Sequence, residues 1–208
     1  MKIKARLQRI QKDALDWMVG HFPSVGLDRR AESFVSLFKD FIPPSARVLD
    51  IGGGWGYYVE PLQRQRNCEV TVLDVREPKF RKAPVMTYAG DRMPFADGFF
   101  DVSLLITVLH HVGSPEKVLL EARRVTRRFV IVVEDLYRSA MGRIWTIWRD
   151  MVYNLEFVGH PRQFKTKEEW FECFKQLGFH VESEQEVLTS LLGIPILNGC
   201  FVLNCSHG

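Results

Sequence analysis

The stretch VLDIGGGWGYYVE, residues 48–60, constrains this chain more than any other. A short apolar run with the look of a strand ends in glycines at 52, 53, 54 and 56. Glycine is needed where φ must be positive or where a side chain would block an approaching ligand. A helix is expected to open at about Tyr57, and its free N–H groups would favour electron-rich ligand atoms. A dinucleotide fingerprint requires G-x-G-x-x-G. Counted from Gly52 the third glycine falls on Tyr57, and counted from Gly54 on Val59, so both registers fail. No Gly-Lys-Ser/Thr follows, which removes a phosphate-binding P-loop. A tight strand-to-helix turn without a ligand is the plain alternative. Four glycines in five positions argue against it.

The surrounding pattern sets the fold class. From Arg47 onward, short apolar runs (VLDI, VTVLDV, VMTYA, FDVSLLITV, RFVIVVED) alternate with helical or loop segments. Runs of this length suit strands buried on both faces, and the alternation predicts a parallel α/β sheet. Before it, residues 3–19 carry about one apolar residue per helical turn, and a second helix is predicted from Asp28, as N-cap, to Phe41. After it, Met141, Ile144, Trp145, Trp148, Met151 and Leu155 recur at helical spacing. Residues 166–177 predict a helix with Thr166 as N-cap and Gly178 just past its end. Two strand-like stretches, FHVESEQEV and NGCFVLNC, follow, joined by a segment containing Gly193 and Pro195.

Length and charge bound the rest. The 208 residues suffice for one domain with a real core. A net charge of +3 is too mild to argue nucleic-acid binding. The four cysteines form no CxxC pair, no Cys/His cluster has zinc spacing, and no metal is expected. They read as free thiols of a reducing compartment. The first twelve residues hold five bases and no acid, but Asp13 and Asp16 interrupt any signal-like apolar stretch. With no run able to span a bilayer, the expectation is a soluble, cytoplasmic protein. The basic helix reads as a solvated face, with contact to an anionic membrane surface as the other reading.

Asp50-x-Gly52-x-Gly54-x-Gly56 resembles the first motif of the class I S-adenosylmethionine-dependent methyltransferases. Asp74 then ends the next strand, where an acid can accept both ribose hydroxyls of an adenosine ligand. Residues 88–125, YAGDRMPFADGFFDVSLLITVLHHVGSPEKVLLEARRV, are similar to the small-molecule branch that includes quinone-biosynthesis enzymes. The resemblance covers roughly residues 46–135. One departure is the turn before the fifth strand, where the family's Leu-Lys-Pro-Gly-Gly is replaced by Arg and Thr.

The resemblance implies a Rossmann-like α/β fold with a seven-stranded, mostly parallel sheet in the order 3-2-1-4-5-7-6 and the last strand antiparallel. It implies S-adenosylmethionine as cofactor and a small-molecule acceptor. Asp50, Gly52, Gly54 and Gly56 would hold the methionine end, Asp74 and Val75 the ribose side, and Asp91 with the Arg92 backbone the adenine. The Ile106 carbonyl and His111 would complete the site. A general base for the acceptor could be His110 or His111, of which His111 is the candidate carried forward, or Glu134, Asp135 or His160. Bracing a helix, ending a strand or lying at the surface are the competing roles.

One domain is expected: residues 1–44 as N-terminal helices, 45–135 as cofactor-binding core, 136–165 as an insertion roofing the acceptor site, and 166–208 as C-terminal helix and strand pair. The aromatic insertion suggests an apolar or aromatic acceptor. Nucleic-acid methylation is not expected, since LITVLHHV lacks the Asn/Asp-Pro-Pro-Tyr/Phe stretch used on exocyclic amines. A non-catalytic cofactor-binding module and a dinucleotide-dependent oxidoreductase remain as other classes.

Overall fold

The computed structural model describes residues 2–21, 26–155 and 161–205. Seven strands form one sheet: β1 (Arg47–Ile51), β2 (Glu69–Asp74), β3 (Val85–Thr87), β4 (Phe100–Ile106), β5 (Thr126–Asp135), β6 (His180–Leu191) and β7 (Ile194–Asn204). Their order is β3-β2-β1-β4-β5-β7-β6. The first five pair in parallel, and β7 runs antiparallel to both β5 and β6. The predicted order and the antiparallel last strand are both observed.

Side-chain alternation sorts the central strands between two faces. Leu49, Ile51, Leu105, Val130 and Val132 join Leu119 and Ala122 of α4 (Pro115–Val125) and Trp170 and Phe174 of α6 (Lys167–Gln176). Val48, Val102, Leu104 and Ile131 point the other way, onto Phe34, Val35 and Phe38 of α2 (Leu27–Phe38) and Leu62 of α3 (Val59–Arg66). Each of these large side chains contributes roughly 1.5–3 kcal/mol by leaving water. Burial on both faces is why β1, β4 and β5 read as continuous apolar runs. At the edge, β6 instead alternates exposed and half-buried residues.

Several boundaries differ from expectation for local reasons. The N-cap of α2 is Gly26, at φ +80, so Asp28 sits inside the first turn. The helix after the glycine loop opens at Val59, two residues later than expected. The LHHV stretch does not open α4. It forms a separate 3-10 turn over Leu109–His111, and the helix starts afresh with Pro115 in its first turn. The strands β6 and β7 are longer than their apolar cores. Leu192 and Gly193, both at positive φ, close them as a two-residue hairpin. Pro195 lies within β7, beyond the last pairing with β5 at Asn198, where no N–H is required on that side.

The Arg-Thr departure has a physical account. The helix α4 ends at Val125 and β5 begins at Thr126, with no turn between them. The Thr126 hydroxyl bonds the Ala122 carbonyl at 2.5 Å and the Ser103 hydroxyl at 2.6 Å, so the junction is closed inside the core. At α6 the expected cap is present: Thr166 and Glu169 form a reciprocal capping box, and Gly178 follows at φ +73.

Strand order reverses between β1 and β4. In such sheets the crevice at the carboxyl ends of these strands is where ligands lie. The helices α1 (Lys2–His21) and α5 (Ala140–Tyr153) border that crevice.

Candidate functional site

The loop after β1 is built around an acid beneath it. Gly52, Gly54 and Gly56 take φ of +70, +49 and +75, the region glycine tolerates. Gly53 is bare for another reason: a Cβ there would sit 2.2 Å from Asp50 Oδ2. A Cβ on Gly52 would meet Val108 at 2.7 Å, and one on Gly56 would press on Ala83 at 3.1 Å. Asp50 is buried under this loop, and its Oδ2 has no hydrogen-bond partner. Burial, reinforced by the nearby Asp74, pushes the Asp50 carboxyl up to about 7. A buried acid without a counter-charge beside a bare loop suits a cationic ligand group.

Asp74 ties two loops together. Its Oδ2 accepts the Gly54 N–H and its Oδ1 the Arg76 N–H, both at 3.0 Å. Each oxygen keeps a further lone pair, as a ribose contact would need. Val75 is exposed and faces Gly90, whose missing Cβ would fall 3.2 Å from it. Asp91 and Arg92 are exposed on the loop after β3. The helix α4 holds that loop from behind. Glu121 accepts the Met93 N–H at 2.9 Å, while Arg124 donates to the Met93 and Phe95 carbonyls and is paired with Glu121.

A cavity of about 500 Å³ opens beside Gly52–Gly54, Ile106 and Thr107, within the size range of small-ligand sites. Most of its wall is apolar, drawn from α1, α2, α5 and the β6–β7 hairpin. One side is polar and connected. Glu134, fully buried, accepts the Val108 and Leu109 N–H groups through Oε1 and meets His110 Nδ1 at 2.5 Å through Oε2. His110 Nε2 and His111 Nε2 lie 3.5 and 3.7 Å from Asp150 Oδ1. Burial favours neutral His110, but Glu134 and Asp150 on either side outweigh it and push the ring up to about 10. Burial likewise works against Asp150 ionisation, yet His110, His111 and Asn154 hold its carboxyl below the usual range. Next to this chain, Asp135 bonds Arg149, Arg30 at 3.3 Å and Asn198 at 2.6 Å.

The helix α1 lies over the glycine-loop side of the cavity. Leu15 and Val19 pack with Ala31 and Tyr57, and Leu15, Met18 and Val19 line the cavity. Buried Asp16 is its anchor. It accepts from Trp55 Nε1 at 2.9 Å, from Arg76 at 2.7 and 3.1 Å, and from the Lys79 N–H at 2.9 Å. These bonds hold its carboxyl below the usual range against the opposing effect of burial.

Gly52, Gly54, Ile106 and His111 thus line the cavity itself. Asp50 lies under the loop, Gly56 packs against Ala83, and Asp74, Val75, Asp91 and Arg92 form a second stretch along the strand ends. His160 and Phe157 fall outside the described residues. Trp145 and Trp148 stack on each other but stay about half exposed and do not line the cavity. The inward face of α5 is Thr146, Arg149, Asp150 and Tyr153. Sequence reasoning missed Gly53, Arg30 and Asp150. The available signal for Asp150 was the Arg149-Asp150 pair interrupting the apolar run IWTIWRDMVY.

Comparison with known proteins accords with this geometry. A family model described as a methyltransferase domain matches residues 49–133, from β1 to near the end of β5. An uncharacterized protein of Methanocaldococcus jannaschii is 26% identical over 151 residues, 71% of this chain and 72% of that one. The demethylmenaquinone methyltransferase of Renibacterium salmoninarum is 31% identical over 115 residues, covering 51% of this chain and about half, 48%, of its own length. Among solved structures, the Synechocystis magnesium protoporphyrin IX methyltransferase with bound S-adenosylhomocysteine superposes with a TM-score of 0.59 at 16% identity. It covers 92% of this chain and 86% of its own. Residues 49–133 match a methyltransferase domain, and with its 3-2-1-4-5-7-6 sheet and flanking helices the chain has the class I methyltransferase fold.

Proposed function

We propose that the protein transfers the methyl group of S-adenosylmethionine to a small acceptor with an apolar or aromatic body and one polar end. The observation that carries this is the glycine loop, bare above a buried and unpartnered Asp50, opening onto a largely apolar cavity with one polar wall. The cofactor supplies a methyl group on a sulfonium, already carrying its leaving group, so the chain's task is to orient and to exclude water.

In this reading Asp50 draws the cationic methionine end while Gly52 and Gly54 leave room for it. Asp74 accepts the ribose hydroxyls, Val75 lies along the nucleoside, and Asp91 with the Arg92 N–H reads the adenine edge. The Ile106 carbonyl, at the carboxyl end of β4, accepts from the amino group. His111 stands between cavity and polar wall and is the candidate to take the acceptor's proton. The insertion 136–165 covers the acceptor through Arg149, Asp150 and Tyr153 of α5, not through its tryptophans. The acceptor's apolar body would rest on Met18, Val152, Leu155 and Ile196.

Calorimetric titration with S-adenosylmethionine and S-adenosylhomocysteine tests the reading, with Asp74→Ala alongside. Saturable binding to both, weakened at least tenfold in the variant, is expected. Folded protein that binds neither ligand would overturn the proposal.

A further inference from the structure

We propose that His110, His111 and Asp150 form a site for a first-row divalent cation of the zinc class, set in the polar wall of the cavity with Glu134 as its outer support. The three side chains offer ligand atoms that all lie within 4.8 Å of one another. The two imidazole Nε2 atoms stand 3.5 and 3.7 Å from Asp150 Oδ1. A tetrahedral ion with bonds of about 2.1 Å has ligand atoms roughly 3.4 Å apart, so little movement would close the set. Two imidazoles and one carboxylate suit zinc, iron, manganese or cobalt rather than calcium or magnesium, which prefer all-oxygen shells.

Three further observations point to an ion. Glu134 engages His110 Nδ1 at 2.5 Å, which leaves Nε2 aimed at Asp150. A carboxylate behind a ligating histidine is how metal sites fix ring orientation and tautomer. Glu134 is itself fixed by the Val108 and Leu109 N–H groups. Next, Asp150 is 5% exposed, and its Oδ2 is buried without a partner. Asn154 bonds only Oδ1, at 2.6 Å. Finally, a divalent cation that displaces the His110 proton would balance the two carboxylates, Glu134 and Asp150, on either side of the ring.

All three ligands line the cavity together with Ile106 and Thr107. An ion held by three protein atoms on one side keeps a position open toward that space. The open position would take an oxygen of the acceptor, such as a hydroxyl or enolate, and with the ion bound the task of favouring its deprotonated form passes from His111 to the ion. That assignment of acceptor chemistry rests on the methyl-transfer reading, whereas occupancy of the site does not. The ligands come from the 3-10 turn after β4 and from the last turn of α5, about forty residues on, so no spacing in the sequence announces them.

The test uses full-length protein stripped with chelator, then given Zn²⁺ or Co²⁺ and desalted. One retained equivalent is expected, with visible Co²⁺ bands of a low-coordinate nitrogen/oxygen site. Asp150→Asn and His111→Gln should each weaken retention at least tenfold, with the fold checked by circular dichroism. Cu²⁺ electron paramagnetic resonance on the wild type, which needs no variant, should resolve two imidazole nitrogens. Folded protein that retains no metal at about 100 μM would overturn the site and leave His110 as an imidazolium bridging Glu134 and Asp150. Retention unchanged in both variants would equally overturn it. Titration of wild-type protein with S-adenosylmethionine in chelator keeps the two readings apart: cofactor binding without metal retention sinks only the metal site, and the reverse sinks only methyl transfer.

Discussion

Asp50 carries the sharpest residue-scale consequence. Burial and Asp74 raise its carboxyl to about 7 in the ligand-free protein, against an unfolded value near 3.8. The folded state therefore holds a proton that the unfolded chain releases. Its contribution to stability is complete below about pH 4 and is lost as pH rises through about 7. Asp50→Asn, which cannot ionise, should melt several degrees above wild type at pH 8 and approach it only near pH 4. A variant melting below wild type at pH 8 would refute this account of the acid. Ligand binding should run the opposite way. A cationic methionine end favours the carboxylate, so wild-type affinity for S-adenosylmethionine should climb up to tenfold per pH unit toward pH 7 and then level. The acid and the loop were legible from the sequence because three positive-φ glycines in a row of alternate positions leave a pattern. That Gly53 is bare to admit the Asp50 carboxylate was not, because residues 50 and 53 meet only once the loop is folded. Asp150 was hidden for a stronger reason: its partners His110 and His111 lie on another element.

The helix α1 is tied to the proposed cofactor site through one side chain. Asp16 links it to Trp55 in the glycine loop and to Arg76 and Lys79 after β2. Removing the carboxylate leaves the half-buried Trp55 indole N–H and the Lys79 backbone N–H without their acceptor, at about 1 kcal/mol each, the low end for groups water can partly reach. Arg76 stays partly solvated, with 35% of its side chain exposed, so its share is small. Asp16→Ala should lower the melting temperature by about 2–4 °C per kcal/mol lost and weaken S-adenosylmethionine binding, while Asp13→Ala, whose partner Lys79 Nζ is exposed, should do neither. Equal effects from both would show that α1 is not latched at Asp16. Periodicity found α1 and α5 as helices but did not fix which face of α5 turns inward. Helical spacing marks a stripe without saying which way it turns. Here Met141, Ile144, Trp145 and Trp148 face outward, while Arg149 and Asp150 turn in because Asp135 and the histidines give them partners.

Across the whole molecule, the parallel α/β class was legible because the apolar runs of β1, β4 and β5 alternate with helices, whereas the strand order was implied only by the resemblance carried by the glycine loop and residues 88–125. The hairpin β6–β7 was the harder half, since its outer strand alternates weakly and its two-residue turn carries only one glycine. Among the described residues no helix is long and apolar enough to cross a membrane. The finished sheet makes the proposed cofactor site a line rather than a point. Four segments far apart in sequence lie along the carboxyl ends of β1 to β4: residues 52–56, 74–76, 90–93 and 106–111. Acids already hold amides in each of the first three, through Asp74 to Gly54, Asp74 to Arg76 within its own segment, and Glu121 to Met93. In the fourth, Glu134 holds Val108 and Leu109. A ligand that bridges all four stabilises them together, so their opening should become one event instead of four. Hydrogen exchange with S-adenosylhomocysteine is expected to slow in all four segments at once. The helix α6, packed on the far face of the sheet with Trp170 and Phe174 fully buried, should exchange at its ligand-free rate. Slowing confined to residues 52–56 would mean that the nucleoside lies elsewhere than along Asp74 and Asp91, and uniform slowing that included α6 would mean global stabilisation without a localised site.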